Sequence, residues 1–248
     1  MRTKYQLATL LSALVVIASG ALMLSKNVSA AGEGSIKGTI KLDGTPPRQR
    51  PIDMSKEPAC AKEHEGHPVT TENVVVGPNG GLKFVVLYLS EGLSGSAASQ
   101  VPSDKPKYDQ KGCQYIPHVL AVDAGQHFLV VNSDPTSHNI HPMPKPGGPN
   151  QQWNKSQPPG SPPFDVTWNG EEVAVPVKCN IHPWMHGYHA VVKGPYAVSD
   201  DNGAYTIENV PPGSYTVTAW QETYGTQTQK VTVAAGKPAS ADFTFKAK

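Results

Sequence analysis

The sequence predicts an all-β protein built from two sandwich-like units. Gly and Pro are abundant, at 23 and 24 of 248 residues, and with many Val and Thr they favour short strands and turns. Apolar residues recur with period two in segment after segment, as in half-buried strands. No segment sustains a helical repeat. The length suits one large domain or two small ones. Net charge is +1 with no basic stripe, which argues against nucleic-acid binding.

Taken in order, residues 1–30 read as an export signal. Arg2 and Lys4 precede the uncharged, mostly apolar run Leu7 to Leu24, and Val28-Ser29-Ala30 offers the small residues of a cleavage site. An uncleaved membrane anchor is the alternative, since such a run just spans a bilayer. Either way the rest of the chain is expected in the periplasm or outside the cell.

Residues 31–70 hold one alternating strand, Ser35 to Leu42, and a loop. The 71–193 stretch reads as one domain. Val74 to Val76 and Leu82 to Leu89 are short apolar runs around the turn Pro78-Asn-Gly-Gly81. Residues 91–111 are polar and read as a loop. His118 to Ala121 and His127 to Val131 are strands. Residues 142–163 hold eight prolines and read as a long loop of the kind that often has a function. Val173, Val175 and Val177 recur with period two, so Cys179 falls on the same inward face. Ala190 to Val192 closes the unit. Residues 194–248 alternate again around Asp200-Asp-Asn-Gly203 and Val210-Pro-Pro-Gly213.

The three cysteines are an odd number for an oxidising compartment. Cys60 and Cys113 have loop-like surroundings and are expected to pair. Cys60 with His64 and His67 as a second metal site is the competing reading. Cys179 is left for a metal.

The segment Cys179-Asn-Ile-His182-Pro-Trp-Met185 sets a thiolate, an imidazole and a thioether within seven residues. Soft sulfur suits Cu(I), and imidazole suits both copper states. A second imidazole is offered by Asp134-Pro-Thr-Ser-His138-Asn-Ile-His141, which follows a strand. His141 rivals His138, but its odd spacing puts it on the opposite strand face. His186 rivals Met185 as axial ligand.

His138-Asn139 and the loop CNIHPWM resemble the cupredoxins, the blue-copper family, in their amicyanin-like and plastocyanin-like form. The resemblance runs from about Leu82 to Val192. It implies a Greek-key β-sandwich holding one type 1 copper ion, with His138 as first ligand, Cys179 and His182 as equatorial ligands and Met185 as axial ligand. Ser199-Asp-Asp-Asn-Gly-Ala-Tyr-Thr-Ile and Asn209-Val-Pro-Pro-Gly-Ser-Tyr-Thr-Val resemble the carboxypeptidase regulatory-like (transthyretin-like) β-sandwich. Gly34-Ser-Ile-Lys-Gly-Thr-Ile resembles that module's first strand, so the copper unit would be inserted into the smaller sandwich.

The function expected is a one-electron carrier between redox proteins of the cell envelope, not an enzyme. An oxidase or reductase needs a second metal centre or an open coordination position. An envelope scaffold with incidental copper binding or copper handling is the remaining alternative. The His182 edge is expected at the surface, inside an apolar collar of Pro183, Trp184 and Met143, as the exit for electrons.

Overall fold

The computed structural model describes residues 32–95 and 101–247. The expected export signal lies outside the described residues. Among the described residues no helix is long and apolar enough to cross a membrane.

In chain order the first elements are β1 (Gly34–Asp43), α1 (Pro58–Glu63), β2 (Val86–Glu91), β3 (Lys107–Lys111), β4 (Gln114–Ile116), β5 (Val119–Asp123) and β6 (His127–Asn132). Next come β7 (His138–Pro142), β8 (Lys155–Gln157), β9 (Phe164–Thr167), β10 (Glu172–Lys178) and β11 (His186–Val192). The chain ends in β12 (Tyr196–Val198), β13 (Ala204–Val210), β14 (Gly213–Gln221), β15 (Gly225–Val233), β16 (Pro238–Ser240) and β17 (Phe243–Lys246).

These strands form four sheets separated by three apolar layers. In the first sheet β1 runs antiparallel to β13 and parallel to β16 and β17. The second sheet has the order β12-β2-β14-β15. Ile36, Ile40 and Leu42 of β1 alternate inward and meet Leu87, Leu89, Val217 and Phe243 in a common core, as period-two patterning requires. The third sheet, β5-β11-β10-β7-β8, faces the fourth, β4-β3-β6-β9. Between them lie Tyr108, Val122, Phe128, Ile140, Val177, Cys179 and Met185. Val119, Ala121 and Ala190 on the other face of the third sheet pack against Val86 and Trp220 of the second. All five residues of β5 are therefore buried, which is why it reads as a continuous apolar run.

The strand β2 lies within the 71–193 stretch. It pairs with β12 and β14 rather than with the third and fourth sheets. With β1, it completes the sandwich whose other strands come from the C-terminal third. A short apolar run carries no record of which sheet it joins.

Other differences are local. Residues 91–111, read as a loop, end in β3, which pairs parallel to β6. The proline-rich stretch contains β8, paired with β7. The helix α1 has six residues, too few for a period to show. Ala174 has φ 73° and the β10–β11 register shifts there. This bulge turns Val173 to the outer layer, away from Val175 and Val177. Gly187 admits no side chain, because a Cβ there would stand 2.5 Å from the Tyr108 hydroxyl and 2.6 Å from the His118 carbonyl oxygen.

Candidate metal centre

His138 opens β7, and Cys179 directly follows β10. The two strands are neighbours, with Lys178 opposite His141, so His138 and Cys179 arrive at one end of the same sheet. The chain then turns back into β11. The Cys179 N–H donates to the Met185 carbonyl (3.0 Å), and the Met185 N–H donates to the His182 carbonyl (2.9 Å). Asn139 ties this loop to β7. Its side-chain oxygen accepts from the Asn180 N–H at 2.7 Å and lies 3.4 Å from the Cys179 sulfur.

His138, Cys179 and His182 each bring one donor atom within 4.8 Å of the others, and all three are buried. The Nδ1 atoms of the two imidazoles are 2.9 Å apart. The Cys179 sulfur is 3.9 Å from His182 Nδ1 and accepts from the His182 N–H at 3.5 Å. Met185 is buried in the same apolar cluster as Cys179. Cys179 is the only free cysteine. Burial pushes its thiol up, but hydrogen bonds from the His138 ring and backbone N–H groups outweigh that and hold it below its ordinary value. Its proton is therefore easier to remove, as a thiolate metal ligand requires. Two imidazoles, one thiol and a thioether, all buried, make a donor set that fits copper.

His141 lies outside this group, as strand parity requires. Its ring bonds Asn180 at 2.9 Å and Gln152 at 2.7 Å. His186 also points elsewhere, donating from Nδ1 to the Trp184 carbonyl at 2.9 Å.

Asp134 is the residue sequence reasoning missed. It stands four positions before His138 and lies 2.7 Å from His138 Nε2, while accepting from the Gly112 and Cys113 N–H groups at 2.6 and 2.7 Å. Burial lowers the basicity of His138, but Asp134 and Cys179 more than restore it, and its pKa rises to about 8. A carboxylate behind a ligand imidazole fixes the ring's orientation. The i, i+4 spacing was visible, but only the fold shows that both side chains meet.

Cys60 and Cys113 form the expected disulfide. This removes Cys60 from the alternative site with His64, whose Nε2 instead donates to the Gly112 carbonyl at 2.7 Å.

The expected exposure of His182 is not found. Its ring is fully buried, with the Cys60 sulfur 3.7 Å and a Glu57 carboxylate oxygen 3.8 Å from Nε2. The cover is the segment around α1, whose small core joins Met54, Cys60 and Cys113 to Ile52, Val69 and Trp184. Trp184 packs inward, with its indole N–H donating to the Cys113 carbonyl at 3.2 Å. Nothing in a loop-like stretch with one short helix signalled that it would close over the centre.

Residues 190–246 match the carboxypeptidase regulatory-like domain family. The match begins inside β11 and so omits β1 and β2, which complete the same sandwich. Among solved structures the chain is similar to a purple cupredoxin from Nitrosopumilus maritimus, at 21% identity over 36% of this chain and 100% of that one, with a TM-score of 0.30. It is similar to amicyanin from Paracoccus versutus at 19% identity, over 43% of this chain and 97% of that one, with a TM-score of 0.32. A copper-containing nitrite reductase from Thermus scotoductus matches at 17% identity over 40% of this chain, with a TM-score of 0.32. The chain spans 27% of that enzyme's length. A search of curated proteins gave no match.

Proposed function

We propose that the protein is an exported type 1 copper protein that carries single electrons between redox partners, with His138, Cys179, His182 and Met185 holding one copper ion. The observation that carries this is the buried convergence of one thiolate and two imidazole donors within 4.8 Å, at a loop that also places Met185 in the core. Copper in such a set shuttles between Cu(I) and Cu(II). The chain's part is to hold the ligands in one arrangement, so that little reorganises when the charge changes. Asn139 pins the Cys179 loop, Asp134 pins the His138 ring, and the α1 segment keeps water from His182. A centre this enclosed leaves no approach for a substrate, which favours a carrier over an enzyme. The disulfide favours an oxidising compartment, in keeping with the export signal read at residues 1–30.

Adding Cu(II) to the purified chain should produce an intense visible band from the Cys179 thiolate to copper. Cys179→Ala should lose that band and most copper affinity while keeping its circular dichroism spectrum. A wild-type protein that takes up copper without the band would reject this reading, and so would a Cys179→Ala variant that retains it.

A further inference from the structure

A second convergence of ligand-type side chains lies apart from the four residues above. His118 precedes β5, His186 opens β11, Glu222 follows β14 and Glu72 lies in the segment before β2. His118, His186 and Glu222 each offer one donor atom within 4.8 Å of the others. His118 faces a carboxylate on each side. Its Nε2 is 3.0 Å from Glu222 Oε2 and its Nδ1 is 3.8 Å from Glu72 Oε2. The side chains of His118 and Glu222 are 2% and 3% exposed.

Two details go beyond an ordinary His–Glu ion pair. Glu222 Oε1 is buried with no hydrogen-bond partner among the described residues, a destabilising condition for a charged group unless something else binds it. A carbonyl oxygen only accepts, so the bond to Trp184 fixes the proton of His186 on Nδ1 and leaves the lone pair on Nε2. A metal-bound histidine commonly has this arrangement, with the second nitrogen donating to a backbone carbonyl. The Asn73 amide, 3.2 Å from that Nε2, is the group a metal would displace. A small void lined by Glu72, His118 and His186 adjoins the cluster.

We propose that His118, His186 and Glu222 form a second metal site, with Glu72 supporting His118, for a divalent first-row ion such as zinc. Two imidazoles and carboxylate oxygen without sulfur suit Zn(II) rather than Cu(I). His118 and His186 belong to the copper-side sandwich and Glu222 to the other, so the ion would bolt one to the other. Binding to the folded state alone would raise thermal stability. The site uses none of the proposed copper ligands.

The test uses the full chain as Cys179→Ala, stripped with chelator and dialysed against zinc alone, with bound metal counted and melting followed. One equivalent of zinc and a higher Tm are expected. Both should be lost, with affinity down at least about tenfold, when Glu222→Gln or His186→Gln is added. Circular dichroism of the metal-free proteins checks folding, and the partly exposed His186 decides if the Glu222 variant does not fold. Zinc-free Cys179→Ala, or unchanged zinc affinity in a folded His186→Gln variant, would overturn the site. Cobalt in the wild-type chain separates the two centres, since only a metal at Cys179 shows a thiolate band.

Discussion

His189 lies between the third and fourth sheets with neither ring nitrogen hydrogen-bonded among the described residues. It packs edge-on against Tyr108 and Phe128 at 4.5 and 5.0 Å between centroids. Burial pushes its pKa down to about 3. Between that value and about 6.5 the unfolded chain binds a proton the native state refuses, so stability falls as pH drops through this window. The loss attributable to His189 is about 2–3 kcal/mol between pH 7 and pH 4.5. His189→Leu should flatten the Tm–pH profile over that range, and a profile parallel to wild type would disprove it. Trp184 makes a second case. Its inward packing on the disulfide turn and on His182, 5.2 Å between ring centroids, replaces the exposed collar expected from sequence. Trp184→Lys should therefore lower Tm and shift the visible band together. An unchanged spectrum at unchanged stability would restore the collar.

Among the elements, the strands were legible where apolar residues alternate and where turn residues bound them, as in β1, β6 and β14. The candidate ligand cluster was legible in part because Cys179, His182 and Met185 share one loop, and the fold adds His138 within 4.8 Å of Cys179 and His182. What stayed hidden depends on long-range pairing. β2 joins a sheet whose other strands lie more than a hundred residues on, and the α1 segment covers His182 through contacts that leave no local pattern. The Cys60–Cys113 crosslink fastens that cover across a sequence separation of 53. In the chain-entropy model a loop of that size is worth about 4 kcal/mol. Reduction, or Cys60→Ala with Cys113→Ala, should cost roughly that much in denaturant melts. It should also disturb the copper spectrum, because the Cys60 sulfur lies 3.7 Å from His182. Loss of stability without any spectral change would mean the cover does not constrain the centre.

For the whole molecule, the pairings of β1 and β2 make the C-terminal third indispensable to the N-terminal third. A chain ending at residue 193 leaves Ile36, Ile40, Leu87 and Leu89 without the strands that bury them. It should aggregate or fail to show a cooperative melt; a soluble, cooperatively folding truncation would contradict this. The sheet order carries one more consequence. β2 and β12 lie side by side and antiparallel, with Tyr88 opposite Tyr196 and Val86 opposite Val198, as the two arms of a hairpin do. Everything between them occupies the place of a β-turn. Because the guest's own ends leave it at adjacent points, the host strands need not close a floppy span, and closure entropy grows only slowly with length in any case. The outer sandwich thus behaves as a socket closed by one strand pair, and the Cys60–Cys113 bridge and the Val86–Ala190–Trp220 layer latch the inserted body into it.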